Sequence, residues 1–121
     1  MRNHKDLEVW KKAIELATDC YRVTNGFPID EKYGLTSQMR RAAVSIASNI
    51  AEGAARTSQK EFLQFLSFAA GSASELNTQI LISRRIGIGD AADLDDLEEK
   101  TNLASRMLQG LIRSIRNKTC D

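Results

Sequence analysis

The sequence predicts an all-α protein: an antiparallel up-down-up-down four-helix bundle that forms one domain over residues 1–121, with disorder at 1–5 and 118–121. The chain has one proline and seven glycines in 121 residues, and this scarcity favours long helices over many short strands. Apolar residues recur at spacings of three and four in four segments, which is the helical period. Short connectors join these segments, as is typical of helices that pack as antiparallel neighbours.

The first helix is predicted from about residue 7 to 24. We expect Asp6 to cap it and Gly26 to end it in the left-handed conformation. Its apolar stripe is Val9, Ala13, Leu16, Cys20 and Val23, widened by Trp10, Ala17 and Tyr21. Cys20 lies within the stripe, which indicates packing rather than reactivity. The apolar residues of the connector 27–34 are expected to cover one end of the bundle.

The second helix is predicted from about residue 36 to 52, with Gly53 as its stop. The third begins at Ser58, which forms a capping-box pattern with Glu61, and runs to about Arg85. The stripe of the second helix is Met39, Ala43, Ile46 and Ile50, and that of the third is Phe62, Leu66, Ala69, Ala73, Leu76 and Ile80. The spacing in the third helix is that of heptads, which is typical of bundle packing.

The fourth helix is predicted over residues 91–117. Its stripe also keeps heptad spacing and consists of Leu94, Leu97, Thr101, Ala104, Leu108, Leu111 and Ile115. Acidic residues fill the first turns and basic residues the last, which suits the helix dipole. The acidic run therefore predicts no metal site.

Composition restricts the possible functions. The 17 basic and 16 acidic residues leave a net charge of +1, whereas nucleic-acid-binding proteins usually have a clear basic excess. Two cysteines are too few for a disulfide scaffold. No segment resembles a signal peptide or reaches the roughly 18–20 apolar residues of a membrane span. We therefore expect a cytoplasmic protein that does not bind membranes.

No enzyme motif can be assembled from these residues. The one histidine, His4, precedes the first helix, so neither a Glu-x-x-His di-iron centre nor a Ser-His-Asp triad is possible. Gly87-Ile88-Gly89 is too short for a phosphate loop and lacks its Lys-Ser/Thr ending. We expect no catalytic residues, no cofactor, no metal and no small-molecule substrate.

Several residues do not fit a solitary bundle. On a helical wheel, Phe68 and Val44 lie far from the apolar stripes of their helices, and Phe65 lies at the flank of its own stripe. Contact with a second copy of the chain is the simplest reason for such positions. Arg41, Ser45, Ser48 and Glu52 form a polar stripe, which is either a solvated face or a hydrogen-bonded seam against a neighbouring subunit.

The basic residues are the candidates for nucleic-acid binding. In an antiparallel pair, Arg56 and Lys60 lie at one end of the bundle. Arg40, Arg41, Arg84 and Arg85 lie at the other end, where four arginines can hold phosphates. The alternative is ordinary solubilising charge.

The chain also resembles a known family, the four-helix bundle proteins called ribosomal RNA intervening-sequence proteins. Segments that carry the resemblance are 6–13, 27–28, 34–35, 38–42, 45–53, 60–62 and 71–76. The run Asn49-Ile50-Ala51-Glu52-Gly53 is fairly specific to the family. One departure from the family pattern is Ala47, where many members have proline.

The resemblance implies a bundle that assembles into a homo-oligomeric, five-fold ring without enzymatic activity. It suggests Asn49, Glu52 and Glu75 as subunit contacts, beside Val44, Phe65 and Phe68. Relatives include the accessory protein of diversity-generating retroelements, which binds nucleic acid and a reverse transcriptase. Those relatives are strongly basic, whereas this chain is nearly neutral.

Three functions therefore remain open. The first is an oligomeric, nucleic-acid-associated accessory protein that binds RNA or DNA. The second is a protein–protein interaction scaffold that binds a protein partner and no nucleic acid. The third, and the least favoured because no catalytic motif is present, is an enzyme that uses a pocket between subunits.

Overall fold

The computed structural model describes residues 3–119, without the side chain of Thr119, and this part of the chain contains helices and no β-strand. Its long helices are α1, Glu8–Thr24; α2, Leu35–Ala54; α3, Gln59–Ile86; and α4, Ala91–Thr119. Two 3-10 helices, His4–Asp6 and Ile29–Glu31, precede α1 and α2. The predicted all-α class with four helices is confirmed. None of the described helices is apolar over a stretch long enough to span a bilayer.

The tails predicted to be disordered lie partly outside the described residues. Residues 1, 2, 120 and 121 are not described. In the described remainder, Asn3 is extended, residues 4 and 5 belong to the first 3-10 helix, and α4 continues to Thr119.

The two ends of α1 differ from the prediction. Asp6 belongs to the 3-10 helix, and Leu7 precedes the first turn of α1 without a side-chain cap. At the other end, Gly26 is not among the residues with positive φ. Gly26 N instead donates to Val23 O at 3.3 Å, and Phe27 N donates to Thr24 O at 3.0 Å. These tight-turn hydrogen bonds close the helix, so no left-handed residue is needed.

The predicted ends of α3 are confirmed. Ser58 Oγ accepts a hydrogen bond from Glu61 N at 3.1 Å, which satisfies one of the free amides of the first turn. At the C-terminus, Gly87 has a φ of 76°, and its N–H donates to Arg84 O at 3.1 Å. Glycine adopts this left-handed conformation without steric cost.

The core lies between the four helices, and every predicted stripe residue of α1, α2 and α3 is buried in it. The stripe of α4 departs from the prediction, because Ile112 is buried whereas Leu111 is only partly buried. A straight helix drifts relative to a strict heptad pattern, and this drift brings Ile112 to the core. The buried Thr101 is satisfied locally, since its Oγ1 donates to Leu97 O at 2.7 Å.

The connector between α1 and α2 covers the core less than predicted. Phe27 is buried, but Ile29 and Tyr33 are 80% and 88% exposed. Tyr21, which was expected to widen the stripe of α1, is also exposed.

Two helices approach each other closely at Gly53, where α2 meets α3. The sequence predicted Gly53 as a stop, but α2 continues through it to Ala54. A Cβ atom at Gly53 would lie 2.8 Å from Phe65 Cβ and 3.0 Å from Phe62 Cδ1. The absence of a side chain, rather than freedom of φ, is therefore what this position requires.

We expect Gly53→Ala to lower the free energy of unfolding by about 1–3 kcal/mol, because the added methyl overpacks the contact between α2 and α3. Gly110→Ala is the matched control, since a Cβ there meets nothing within 4 Å. In a helix interior it should stabilise by about 0.5–1 kcal/mol. Urea unfolding at one protein concentration measures both, and equal stability of Gly53→Ala and the unmodified protein would contradict the packing argument.

Candidate functional site

Four of the candidate arginines lie at one end of the helical assembly. Met39 of α2 and Ser83 of α3 are in contact, with 3.6 Å between Met39 Sδ and Ser83 Oγ. Arg40 and Arg41 directly follow Met39, and Arg84 and Arg85 directly follow Ser83, so all four lie at the same end of the two helices. Arg56 and Lys60 lie elsewhere, near the approach of α2 and α3 at Gly53. The structure therefore places Arg40, Arg41, Arg84 and Arg85 at one end of the α2–α3 pair, and Arg56 and Lys60 at the other end.

The charge of Arg84 is compensated by α4. Its Nη2 lies 2.6 Å from Asp95 Oδ1, and its Nη1 lies 3.1 Å from Glu98 Oε2. Hydrogen bonding to Glu98 and, secondarily, to Asp95 raises the pKa of Arg84. A phosphate that approaches Arg84 must therefore compete with two carboxylates that are already bound.

Arg40 is held against α1. Its Nε donates to Thr24 Oγ1 at 2.9 Å, and its Nη2 donates to Tyr21 O at 3.3 Å. The guanidinium also lies 4.5 Å from the centroid of the Tyr21 ring, within the range of a cation–π interaction. Arg40 thus joins α2 to the end of α1 and has limited freedom to reach a ligand.

Arg41 and Arg85 are exposed and form no ion pair with any residue in the described part of the chain. Lys60 is exposed as well. Arg56, in contrast, lies 3.7 Å from Glu52 and stacks over the Phe65 ring at 4.8 Å. Of the cluster of four arginines, Arg41 and Arg85 are therefore the two that are exposed and uncompensated.

The acidic start of α4 binds cations of its own chain. Arg22 of α1 lies 3.4 Å from Asp93, and Lys100 forms ion pairs with Asp19 and Asp96. The pKa of Arg22 is raised mainly by its hydrogen bond to Asp93. The pKa of Lys100 is raised mainly by its hydrogen bond to Asp19 and next by the one to Asp96. Residues 3–119 contain no group of three or more His, Cys, Asp or Glu side chains placed to hold a metal ion.

A second candidate surface is the outer side of the α2–α3 pair. We call it the α2–α3 face and define it by Ser45, Asn49, Phe68, Ser72, Glu75 and Gln79. Phe68 on this face is 50% exposed, as the wheel predicted. Val44 is 41% exposed as well, but it lies on the other flank of α2, beside Tyr21 and Tyr33. Part of the face is a shallow groove of about 520 Å³, in which Gly71 leaves open space.

Hydroxyl and amide groups form the floor of this face. Ser72 Oγ donates to Ser45 Oγ at 2.9 Å, and Asn49 Nδ2 donates to the same oxygen at 2.9 Å. Ser45 is thus bonded within the chain, while Ser48 is exposed. The predicted polar stripe on α2 is therefore divided between internal bonding and solvent. Of the other predicted contacts, Glu52 and Glu75 are exposed, and Phe65 packs edge-on against Phe68 at 5.6 Å between centroids.

Gln79 is the unusual residue of the face. It is 5% exposed, and its Oε1 has no hydrogen-bond partner among the described residues. It lines a groove of about 440 Å³ together with Gln38, Arg41, Ser45 and Glu75. Leaving a buried acceptor unpaired costs about 1–3 kcal/mol, so this oxygen favours a donor from outside the chain. The sequence did not identify Gln79 as a candidate, because helical spacing does not show whether the side-chain amide of a glutamine finds a hydrogen-bond partner.

Comparisons with known proteins agree with the fold. A family model described as "23S rRNA-intervening sequence protein" matches residues 5–110. A crystal structure of a protein of unknown function from the S23 ribosomal protein family, from Bacteroides thetaiotaomicron, is similar with a TM-score of 0.78 and 20% sequence identity. The similarity covers 86% of this chain and 97% of that one. No curated protein sequence matches the chain.

The Cys20 thiol of α1 is fully buried in the core, so its ionisation reports on the packing of the core. Burial raises its pKa from 9.0 to about 12, although the nearby Arg40 lowers it slightly. The unfolded thiol thus ionises at lower pH than the folded one, so its contribution to stability is present below pH 9 and is lost as pH rises toward 12. We expect the stability advantage of the unmodified protein over Cys20→Ala to shrink by up to about 1.4 kcal/mol per pH unit in this window.

Urea unfolding of both proteins from pH 8 to pH 11 measures this difference. A difference that does not change with pH would contradict the burial of the thiol.

Proposed function

Because the chain belongs to the 23S rRNA-intervening sequence protein family, we propose that it is a non-enzymatic accessory protein that self-associates and binds nucleic acid, RNA or DNA. In this proposal the helices run in antiparallel up-down-up-down order, and copies of the bundle form a closed, five-fold ring. Helix-end contacts support the antiparallel order. Arg40 near the start of α2 bonds to Thr24 at the end of α1, and Arg84 at the end of α3 pairs with Asp95 near the start of α4.

The observation that carries self-association is the composition of the α2–α3 face. A single exposed apolar residue is ordinary, but here Phe68 lines a groove floored by small and hydroxylated residues, and Val44 is exposed on the other flank of α2. Small residues allow a second helix to approach closely, and exposed apolar side chains then bury surface against it.

Gln79 adds a polar reason for a partner on this face. Its buried Oε1 lacks a donor in the described chain, while Arg41, with several N–H donors, lines the same groove. A symmetric neighbour brings donors as well as apolar surface. Assembly thus satisfies an oxygen that a single copy leaves unpaired.

Nucleic-acid binding is supported by Arg41 and Arg85, the uncompensated arginines of the cluster at the end of α3. Arginine binds phosphate in bidentate geometry. Two arginines per copy give weak binding, but a ring repeats the pair in every subunit, so the local potential grows with the number of copies.

The second candidate function is a protein–protein interaction scaffold. The near-neutral charge of +1 and the compensation of Arg84 by Asp95 and Glu98 favour it. On this alternative, the ring presents its surfaces to a protein partner, and the binding is insensitive to salt.

Replacing Phe68 by Asp should disrupt the assembly, because a carboxylate then enters an apolar contact between copies. We expect the sedimenting species to shift from an oligomer to a 13.5-kDa monomer. Ile14→Asp is the matched control, since Ile14 is 41% exposed and Phe68 is 50% exposed, but Ile14 lies beside α4 rather than on the α2–α3 face. The self-association proposal is overturned if the unmodified protein sediments as a monomer, or if both variants behave alike.

Removing the two uncompensated arginines should weaken RNA binding through electrostatics. For Arg41→Gln/Arg85→Gln we expect the slope of log affinity against log salt concentration to fall by about two. Arg113→Gln is the control, because Arg113 is exposed and lies about 30 Å along α4 from Asp93 at 1.5 Å per residue. Sedimentation with a fluorescent structured RNA over a salt series measures the slopes. RNA that stays free at low salt would favour the scaffold.

A further inference from the structure

One cleft combines exposed aromatic rings with cations. It lies where the end of α1, the connector and the start of α2 meet, and it has a volume of about 600 Å³, within the usual range for small-ligand sites. We call it the tyrosine cleft and define it by Tyr21, Tyr33, Lys32, Arg40, Arg41 and Ser37. No acidic side chain lines it, so it favours an anionic ligand.

Its two aromatic rings are each contacted by a cation and are accessible to solvent. Lys32 Nζ lies 5.5 Å from the centroid of the Tyr33 ring, and the Arg40 guanidinium lies 4.5 Å from that of Tyr21. Each cation covers one face of its ring. Because Tyr33 is 88% exposed, the rest of its ring is open to solvent and free to stack.

The cations of the cleft have different tasks. Arg40 donates hydrogen bonds to Thr24 Oγ1 and to the carbonyl of Tyr21, so its guanidinium is fixed over the Tyr21 ring at the base of the cleft. Arg41 and Lys32 are exposed and form no ion pair with any described residue. The nearest carboxylate in the sequence, Glu31, is committed, because its Oε1 accepts from Leu35 N at 3.0 Å.

We propose that the tyrosine cleft binds one nucleotide unit of a single-stranded nucleic acid, with its base stacked on Tyr33 and its phosphate held by Arg41 and Lys32. A base stacked on an aromatic side chain beside a basic groove is the usual means of binding single strands. A duplex does not offer this contact, since its bases are already stacked on each other. The inference rests on the proposed nucleic-acid association and specifies which form of nucleic acid this site takes.

The test is fluorescence anisotropy of a labelled 12-nucleotide oligo-U RNA and of the matching oligo-dT DNA, with the full-length protein. Tyr33→Ala should weaken binding about 5- to 150-fold, the loss of one stacked base. Tyr33→Phe, which keeps the ring, should stay within about twofold, because stacking requires the ring and not the hydroxyl. Ile29→Ala is the matched control, since Ile29 is 80% exposed on the same connector and does not line the cleft; it should bind like the unmodified protein.

The outcomes separate this inference from the proposed function. If the protein binds structured RNA but Tyr33→Ala leaves oligo-U and oligo-dT binding unchanged, the tyrosine cleft is not the site and only this inference is overturned. If neither structured nor single-stranded nucleic acid binds at low salt, the proposed function fails with it.

Equal losses of affinity for Tyr33→Ala and Tyr33→Phe would overturn stacking. A loss with oligo-U alone assigns the site to RNA, and equal losses with both oligomers assign it to single strands of either kind.

Discussion

The close packing of α2 against α3 is the constraint on which the rest of the structure depends. At Gly53 there is no space for a Cβ beside Phe65, and further along, Ser45 and Ser72 meet through their hydroxyls at 2.9 Å. Because small residues line the contact, the outer side of the pair is a shallow groove rather than a ridge of long side chains. The requirement for close packing thus also creates the shallow face, with Phe68 exposed, that we propose binds a second copy.

Charge is distributed by the same architecture. The acidic start of α4 lies between α1 and α3 and binds Arg22 and Arg84 through Asp93, Asp95 and Glu98. Those pairs are exposed, so each adds little stability. Their main effect is on the surface charge, because they neutralise Arg22 and Arg84 at two helix ends. Arg41 and Lys32 then remain as the uncompensated positive charges beside α2. The net charge of +1 therefore understates the local charge at that corner.

The sequence predicted the local features and missed those that depend on tertiary contacts. Periodicity placed the four helices and the stripes of α1, α2 and α3, since burial follows directly from helical spacing. It assigned Leu111 rather than Ile112 to the core, because the drift of a straight helix accumulates over several turns. The pairing of Arg84 with Glu98 and the position of Gln79 depend on how separate helices dock, which propensity and spacing do not encode. Tyr33 was predicted to cover the core, because its apolar character alone does not tell a buried aromatic residue from an exposed one.

A nearly neutral chain and nucleic-acid binding are compatible if binding is shared among copies. One copy offers few uncompensated cations, and each phosphate contact in water is weak and screened by salt. Copies joined through the α2–α3 face would bring several such corners together, since Arg41 lies where that face meets the tyrosine cleft. Linked weak sites can exceed the affinity of one site by about 10²–10⁴. Self-association is then a condition for useful affinity, and the low net charge limits nonspecific binding by copies that have not assembled.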